Sequence, residues 1–366
     1  MENRFTIKSM RYDYDVLFVP DFRKALLDLM RTEKCVFLVD KHIWETYHLA
    51  DLISQDRFPV TIIEAVESNK TINGVIEVWN SWEEAGVTKS NKVVVIGGGI
   101  LQDIGAFASN AYLRNIDWYF FPTTLLAQGD SCIGSKCAIN LNSYKNQLGA
   151  FYAPRKIFID TEFLKTLSQA DFYSGMGEIF KASLTSDAEF FKEFRQIILE
   201  GRDRDELERL IRRALLVKKA IIEKDEFDND YRRVLNYGHT FGHALEAYSN
   251  NEIPHGAAVT IGIDIANYIA WKKGFLTEQE YNSAKEVAIR IYRFRFPQNI
   301  DMERLFRFLR KDKKSMGETV NFIIPRKMGE LQILPMRLDK ELDDLLRSYF
   351  WLSHASYSNN ESEANA

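Results

Sequence analysis

The stretch Val93–Asp103, VVVIGGGILQD, joins a β-branched apolar run to three glycines and then to a helical pattern. We predict a strand at Val93–Ile96, a tight turn at Gly97–Gly99 and a helix that begins near Asp103. Glycines let the backbone approach a pyrophosphate closely, and a helix N-terminus favours negative charge. The GxGxxG fingerprint is absent, so a turn without a ligand is the alternative to a nucleotide site.

Two aspartates near this turn are candidate cofactor contacts. Asp103 would repel a phosphate, so we expect it to cap the helix or to bond a neutral hydroxyl or amide. Asp40 follows a predicted strand at Val36–Val39 and could accept hydrogen bonds from a ribose. The alternative for Asp40 is a cap of the next helix.

Short β-branched runs alternate with amphipathic patterns over the first ~160 residues, which is typical of an α/β domain. The other predicted strands are Val60–Ile63, Trp118–Phe121 and Lys156–Ile159, and the predicted helices are Phe22–Arg31 and Gly74–Ala85. From about Ser168 longer periodic segments predict a mostly helical second domain. These segments are Phe190–Leu199, Leu207–Glu223, Ala257–Lys273, Glu278–Ile291 and Met302–Leu309. We therefore expect an α/β domain over 1–165, a helical domain over 166–355 and a disordered polar tail over 356–366.

The composition is that of an ordinary globular protein, with 46% hydrophobic and 27% charged residues in a chain of 366. That length allows two domains with substantial cores. A net charge of −4 gives no basic field, so we expect neither a nucleic acid nor a membrane as a partner. No apolar run approaches the ~20 residues of a membrane span, and the N-terminus has no signal pattern. Three cysteines are too few for a disulfide scaffold, so we expect a cytoplasmic protein.

Three of the six histidines lie in the segment Asn236–Gly256, NYGHTFGHALEAYSNNEIPHG. His239 and His243 are four residues apart, which places both rings on one face of a helix. His255 follows a predicted loop at Ser249–Pro254, where the chain can turn back toward that face. Clustered imidazoles of this kind predict a divalent metal or catalytic site.

Two further segments carry charged side chains among small residues. In GMGEIFKAS, residues 175–183, Glu178 could complete a His-His-Glu metal set or form an ordinary ion pair with Lys181. The stretch Pro122–Tyr152 has no core periodicity and is interpreted as a glycine-rich loop that binds phosphate or carboxylate, with a solvent loop as the alternative. Its candidate residues are Asp130, Lys136, Lys145 and Asn146.

Together these segments resemble the dehydroquinate synthase family of sugar phosphate cyclases. The matching runs are ESNKT (67–71), GGGILQD (97–103), AYLRN (111–115), PTTLLAQGDS (122–131), KNQLGAFY (145–152), GEIFK (177–181), LNYGHTFGHALE (235–246), PHG (254–256) and DKK (312–314). The resemblance implies an N-terminal NAD-binding α/β domain and a mostly α-helical C-terminal metal-binding domain, with the site in the cleft between them.

The resemblance also implies roles for individual residues. It makes Glu178, His239 and His255 the ligands of zinc, with cobalt as a possible substitute, and it gives His243 a substrate contact instead of the metal bond that its spacing suggests. The positions that it assigns to NAD are Asp40, Glu67, Lys70, Gly97, Gly98, Gly99, Asp103, Thr123 and Thr124. Its catalytic positions are Lys136, Lys181, His243, Asn236 and Asp130, and its substrate-binding positions are Arg114, Lys145, Asn146, Lys218, Arg232, Lys313 and Lys314. Arg114 matches an arginine that reaches a neighbouring subunit, which implies a homodimer.

The reaction that the resemblance implies is a cyclisation without net redox change. Zinc holds two substrate hydroxyls, NAD takes and returns a hydride, phosphate is eliminated, and the opened sugar closes by an intramolecular aldol addition. Lys218 and Arg232 match a pair that grips a substrate carboxylate, which favours 3-deoxy-arabino-heptulosonate 7-phosphate. The alternatives are a cyclase for another heptulose or hexose phosphate, of the valiolone or deoxy-inosose type, a metal-dependent polyol dehydrogenase, and a binding protein without catalysis.

The chain departs from the family pattern inside the implied site. The run Gly134-Ser135-Lys136-Cys137 stands where the family usually has GGKT. Ala257 stands after His255 and Gly256 where the family usually has a glutamate. We expect the loss of this acid to remove a partner of the metal ligands.

Overall fold

The computed structural model describes residues 3–142, 144–200, 204–250, 252–292, 300–310, 315–316 and 319–364. The chain forms two compact units, Met1–Ser168 with Lys218–Arg232 and Gln169–Val217 with Arg233–Ala366. The segment 218–232, which the sequence prediction placed in the helical domain, is grouped with the α/β unit instead. One continuous helix, Arg204–Ile222, crosses this division, so helical periodicity could not mark it. No helix of the described residues is long and apolar enough to cross a membrane.

The first unit is built on a mainly parallel sheet. Its strands β1–β9 are Arg4–Ile7, Tyr14–Phe18, Cys35–Asp40, Val60–Ile63, Lys92–Gly97, Trp118–Pro122, Lys136–Leu141, Tyr144–Phe151 and Lys156–Ile159. Its helices α1–α4 are Phe22–Thr32, Lys41–Thr46, Ile72–Glu84 and Gly99–Ala111. Runs such as Val93–Ile96 are fully buried, as expected of central parallel strands.

The strand order shows where this unit can bind a ligand. The large sheet runs β1-β2-β9-β6-β5-β3-β4; β1 and β2 are antiparallel, and the pairs from β2 to β4 are parallel. From β3 the chain moves outward to β4 and then returns to β5 on the other side of β3. Open α/β sheets bind their ligands at such a switch point, beside the carboxyl ends of the strands. Asp40 and Gly97 end β3 and β5 at this point.

Two predictions for this unit are wrong. Helix α4 begins at Gly99 instead of near Asp103, because extended Gly98 forms the N-cap and the residues ILQ already belong to the helix. The stretch Pro122–Tyr152 is not a loop throughout, since β7 and β8 pair as an antiparallel hairpin. Most of β8 is exposed, so its side chains carry no core alternation and periodicity could not reveal the strand.

The second unit is mostly helical, as predicted. Its helices α5–α12 are Gln169–Thr185, Ala188–Glu200, Arg204–Ile222 (whose end belongs to the first unit), His239–Tyr248, His255–Lys272, Glu278–Tyr292, Met302–Arg310 and Lys340–Ala364. An antiparallel sheet of β10–β12, Ser315–Met316, Thr319–Lys327 and Glu330–Arg337, was not predicted. Helix α12 extends to Ala364, through most of the tail predicted to be disordered, and no glycine or proline interrupts it.

Candidate functional site

Three potential metal ligands lie on three helices of the second unit. Glu178 is on α5, His239 begins α8 and His255 begins α9. Glu178 Oε1 lies 3.6 Å from His239 Nε2 and 3.5 Å from His255 Nε2. One donor atom from each residue lies within 4.8 Å of the others. A carboxylate with two imidazoles fits Zn²⁺ or Co²⁺ and leaves coordination positions for a substrate.

Glycines at the helix contacts bring these ligands together. A Cβ on Gly177 of α5 would lie 2.4 Å from the carbonyl oxygen of Gly256 on α9. A Cβ on Gly262 of α9 would lie 2.0 Å from the carbonyl oxygen of Gly238, the residue before α8. Since packed atoms do not approach so closely, both contacts require glycine. The ligand geometry therefore depends on helices that meet backbone to backbone.

Two further groups orient the histidines, and neither was predicted from the sequence. The Tyr237 carbonyl oxygen lies 3.1 Å from His239 Nδ1, and Glu246 Oε1 lies 3.2 Å from His255 Nδ1. Because each contact engages Nδ1, the Nε2 atoms of both rings are left to face a metal. Glu246 follows His239 by two helical turns on α8, and this spacing could have revealed it. It gives His255 an acidic partner even though Ala257 replaces the family's glutamate.

The charges around Glu178 keep it ionised. Burial opposes ionisation, but the charge of Lys181 and the hydrogen bond from His255 hold the pKa of Glu178 well below its usual range. Lys181 forms a buried ion pair with the second carboxylate oxygen, so Glu178 joins the ion pair and the histidine cluster at once. Burial lowers the pKa of His239, which leaves its ring neutral with a free lone pair. Burial acts the same way on His255, but hydrogen bonds to Glu178 and Glu246 outweigh it and raise its pKa to about 10.

His243 lies on α8 beside the same cluster. Its ring centroid is 5.4 Å from that of His239 and 5.8 Å from that of His255. His243, Glu246 and His255 form a second group of three donors, whose ligand atoms also lie within 4.8 Å of one another. Spacing along the sequence could not separate these two groups.

In the first unit, Lys70 joins several residues that the resemblance assigns to NAD or substrate. Its ammonium lies 3.0 Å from Asp103 Oδ2, 2.8 Å from Asn146 Oδ1 and 3.9 Å from Glu67 Oε1. Asp103 also accepts a hydrogen bond of 3.1 Å from the Ala138 amide. Asp103 therefore bonds an amide, as one alternative predicted, and does not cap α4. Burial raises the pKa of Asp103, and Lys70 opposes that rise.

The glycine turn presents backbone at the switch point. A Cβ on Gly98 would lie 2.7 Å from Thr124 Cγ2. The Thr123 amide donates to the Gly97 carbonyl oxygen at 3.0 Å, which joins the ends of β5 and β6. At the neighbouring strand end, Asp40 accepts from a backbone amide of α2 at 3.2 Å and so caps that helix, which was the alternative to a ribose contact. A bare backbone at a helix N-terminus fits the phosphates of a dinucleotide.

Two lysines of the predicted catalytic and substrate-binding positions pair with aspartates in the first unit. Lys218 Nζ lies 2.8 Å from Asp130 Oδ1, and Lys136 Nζ lies 2.6 Å from Asp228 Oδ2. Asp228 was not predicted, and its left-handed backbone, with φ of 59°, is a feature that sequence patterns do not show. These pairs hold both ammonium groups in place.

Arg232 is 4% exposed and is oriented by backbone carbonyls. Its guanidinium donates to the carbonyl oxygen of Gly134 at 3.0 and 3.1 Å and to that of Glu226. Ser135, one of the departures from the family pattern, has a φ of 59° and donates to Glu226 Oε1 at 3.3 Å. The backbone of Ser135 thus has a left-handed conformation that favours glycine, and its side-chain hydroxyl contacts Glu226 from that position.

The remaining predicted residues are Arg114, Lys145, Asn236, Lys313 and Lys314. Arg114 is exposed on left-handed backbone with φ of 57°. Lys145 is exposed on β8, and Asn236 donates to a backbone carbonyl at 3.1 Å. Lys313 and Lys314 lie outside the described residues.

Two family models match adjoining parts of the chain. The model of the 3-dehydroquinate synthase N-terminal region matches residues 60–174, and the model of the C-terminal region matches residues 175–315. The chain belongs to the 3-dehydroquinate synthase family. Named 3-dehydroquinate synthases agree with this assignment. The one from Ruminiclostridium cellulolyticum is 31% identical over 338 residues, 90% of this chain and 94% of that protein. The one from Clostridium acetobutylicum is 34% identical over 320 residues, 85% of this chain and 88% of that protein.

A solved structure from the wider group of cyclases shares the fold. The 2-epi-5-epi-valiolone synthase from Streptomyces hygroscopicus subsp. jinggangensis, with NAD⁺ and Zn²⁺ bound, is 26% identical and has a TM-score of 0.83. The match covers 96% of this chain and 99% of that one. This member of the 3-dehydroquinate synthase family therefore has the two-part architecture of a cyclase known to hold both ligands.

Proposed function

We propose that this chain is a phosphate-eliminating cyclase of the 3-dehydroquinate synthase type, acting on 3-deoxy-arabino-heptulosonate 7-phosphate. The observation that carries the substrate assignment is the placement of Arg232. Its buried guanidinium donates its hydrogen bonds to the carbonyl oxygens of Gly134 and Glu226, while Asp228 and Asp130 act on its charge through space. Such a cation suits a substrate carboxylate, which a guanidinium can bind through two parallel hydrogen bonds. Lys218, 8% exposed, supplies the second cation of the proposed pair.

Glu178, His239 and His255 would hold Zn²⁺ or Co²⁺. The metal would supply a Lewis acid for two adjacent substrate hydroxyls. Lys181 keeps Glu178 ionised and so keeps the donor set anionic. Glu246 accepts the Nδ1 proton of His255 and thereby presents Nε2 to the metal position.

Gly97, Gly98 and Gly99 would lie under the phosphates of NAD⁺. The cofactor would supply a hydride acceptor that is regenerated in each turnover. Lys70 holds Asp103 beside the turn, and Asp40 keeps a carboxylate at the end of β3, where the resemblance places the cofactor. Thr124 fills the space that a side chain on Gly98 would need.

A cyclase for a different sugar phosphate is the second candidate. The likeness to the valiolone synthase favours it, as does the run Gly134-Ser135-Lys136-Cys137, which departs from the family pattern. The two candidates differ in whether the substrate carries a carboxylate. With a sugar phosphate that lacks a carboxylate, Lys218 and Arg232 would have no substrate carboxylate to bind.

The working assembly that we propose is a homodimer in the cytoplasm. Arg114 is exposed on a strained turn, which suits an arginine that reaches outward to a second copy. Cys35, Cys132 and Cys137 are buried and unpaired, which suits a reducing compartment.

Release of inorganic phosphate tests the proposal. The zinc-loaded protein with NAD⁺ is incubated with 3-deoxy-arabino-heptulosonate 7-phosphate, sedoheptulose 7-phosphate or glucose 6-phosphate. We expect phosphate from the first substrate alone and no net NADH. Release from another sugar would transfer the assignment to the second candidate, and steady NADH formation would identify a dehydrogenase.

A further inference from the structure

His255 presents its two ring nitrogens to two different groups of donors. Nε2 lies 3.5 Å from Glu178 Oε1, in the group that also contains His239. Nδ1 lies 3.2 Å from Glu246 Oε1, in the group that also contains His243. The first group is called the inner triad below, and the second, His243–Glu246–His255, is called the outer triad.

Both triads offer a divalent cation the same chemistry. Each contains one carboxylate and two imidazoles, a donor set that suits Zn²⁺ and Co²⁺. They differ in access to solvent, since the side chain of Glu178 is 2% exposed and that of Glu246 is 14% exposed. His243 is exposed, whereas His239 is only partly so. An ion arriving from solvent therefore meets the outer triad with less desolvation and leaves it more easily.

The shared imidazole makes the two positions exclusive. A neutral imidazole has one lone pair and carries its proton on the other nitrogen. Metal on Nε2 requires the proton on Nδ1, where it is donated to Glu246. Metal on Nδ1 requires the proton on Nε2, where it is donated to Glu178. Simultaneous occupancy would need an imidazolate, so at neutral pH one ion is held at one position or the other.

We propose that the outer triad is an alternative cation site, which holds the metal more weakly and exchanges it with the inner triad through His255. Metal loading then passes through the outer triad, where His243 and Glu246 bind the ion before it reaches Glu178. His243 serves this step in addition to the substrate contact that the resemblance implies.

Cobalt titration of a variant without the inner donors tests this site. The double variant Glu178→Gln/His239→Ala keeps the outer triad complete. Titrated with Co²⁺ and followed by visible absorption, it should bind one equivalent, roughly 10- to 100-fold more weakly than the wild type. Addition of His243→Ala should abolish this binding. The matched control is His42→Ala, at an exposed histidine of α2 in the other unit. Its addition should leave the Co²⁺ binding of the double variant unchanged.

The proposal is overturned if the double variant binds no Co²⁺, or if the His243→Ala addition weakens binding no more than His42→Ala does. If the double variant does not fold, as judged by circular dichroism, Glu178→Gln alone replaces it, and the same two additions are compared. The wild type gives an independent measurement, because His243→Ala should slow Co²⁺ uptake at least several-fold while one equivalent still binds. An unchanged uptake rate would exclude loading through the outer triad. Cobalt binding is read without substrate, so these results do not depend on the phosphate-release experiment.

Discussion

Replacement of Gly262 by alanine should separate the two helices that carry His239 and His255. The new Cβ would lie 2.0 Å from the Gly238 carbonyl oxygen and 2.8 Å from the Gly242 amide nitrogen. Unstrained contact needs about 3.5 Å, so the start of α8 must move from α9 by about 1.5 Å. Both neighbouring atoms belong to backbone, which cannot turn aside as a flexible side chain can.

Two losses follow from this displacement. Overpacking of a helix contact by one methyl group costs roughly 1–3 kcal/mol, which lowers Tm by about 2–12 °C in a domain of this size. Metal–ligand distances tolerate only about 0.2 Å, so a shift of His239 should weaken Co²⁺ binding at least tenfold, or about 1.4 kcal/mol. Thermal unfolding followed by circular dichroism and cobalt titration measure the two effects.

Gly274→Ala, just after the C-terminal end of the same helix, is the matched control. Gly274 follows Lys273, the C-cap of α9, with a φ of 76° and has open space around its Cβ position. Its replacement should cost about 1 kcal/mol through backbone strain and leave cobalt affinity unchanged. A Gly262→Ala protein that kept wild-type cobalt affinity would refute the dependence of the ligand geometry on this glycine contact.

Three other changes probe the charges of the two units. Lys181→Met removes the lysine partner of the buried Glu178 carboxylate, so without zinc the free energy of unfolding should fall by about 3–5 kcal/mol. Thermal melts should show this deficit shrinking when Zn²⁺ is added, and an equal deficit in both conditions would contradict the reasoning. Burial raises the pKa of Asp264, on α9, to about 6 against smaller opposing effects of Lys285 and the Tyr349 hydroxyl. The folded state therefore binds an extra proton between about pH 4 and 6. The free energy of unfolding should fall by up to about 3 kcal/mol as the pH rises through that window. Urea denaturation at both ends of the window measures this fall, which Asp264→Asn should remove. Arg232→Lys removes the two parallel N–H donors of the guanidinium, so kcat/KM for 3-deoxy-arabino-heptulosonate 7-phosphate should fall about 10- to 100-fold in the phosphate-release assay. An unchanged kcat/KM would argue against binding of the substrate carboxylate by Arg232.

Local patterns were sufficient for the class of each unit. Apolar β-branched runs predicted the strands that are buried on both faces, and Val60–Ile63 and Lys156–Ile159 have the bounds expected. Long amphipathic periods predicted the helical unit. Helix α8 ends at Tyr248 and α9 begins at His255, so neither enters the predicted loop. These features depend on neighbouring residues in the chain, so the sequence shows them directly.

Contacts between distant residues decide the pairing of β7 with β8, whose residues are mostly exposed, and the grouping of 218–232 with the first unit. Periodicity carries no information about them, because an exposed strand needs no alternation and a helix looks the same on both sides of a unit boundary.

The candidate metal site shows the same division most clearly. By itself, the sequence determined which residue types are present and that His239 and His243 share a helix face. Only the tertiary structure decided that Glu178 and His255 meet His239 while Glu246 and His255 meet His243. That choice depends on how closely α5, α8 and α9 approach one another, and glycine contacts between distant segments of the chain set the distance.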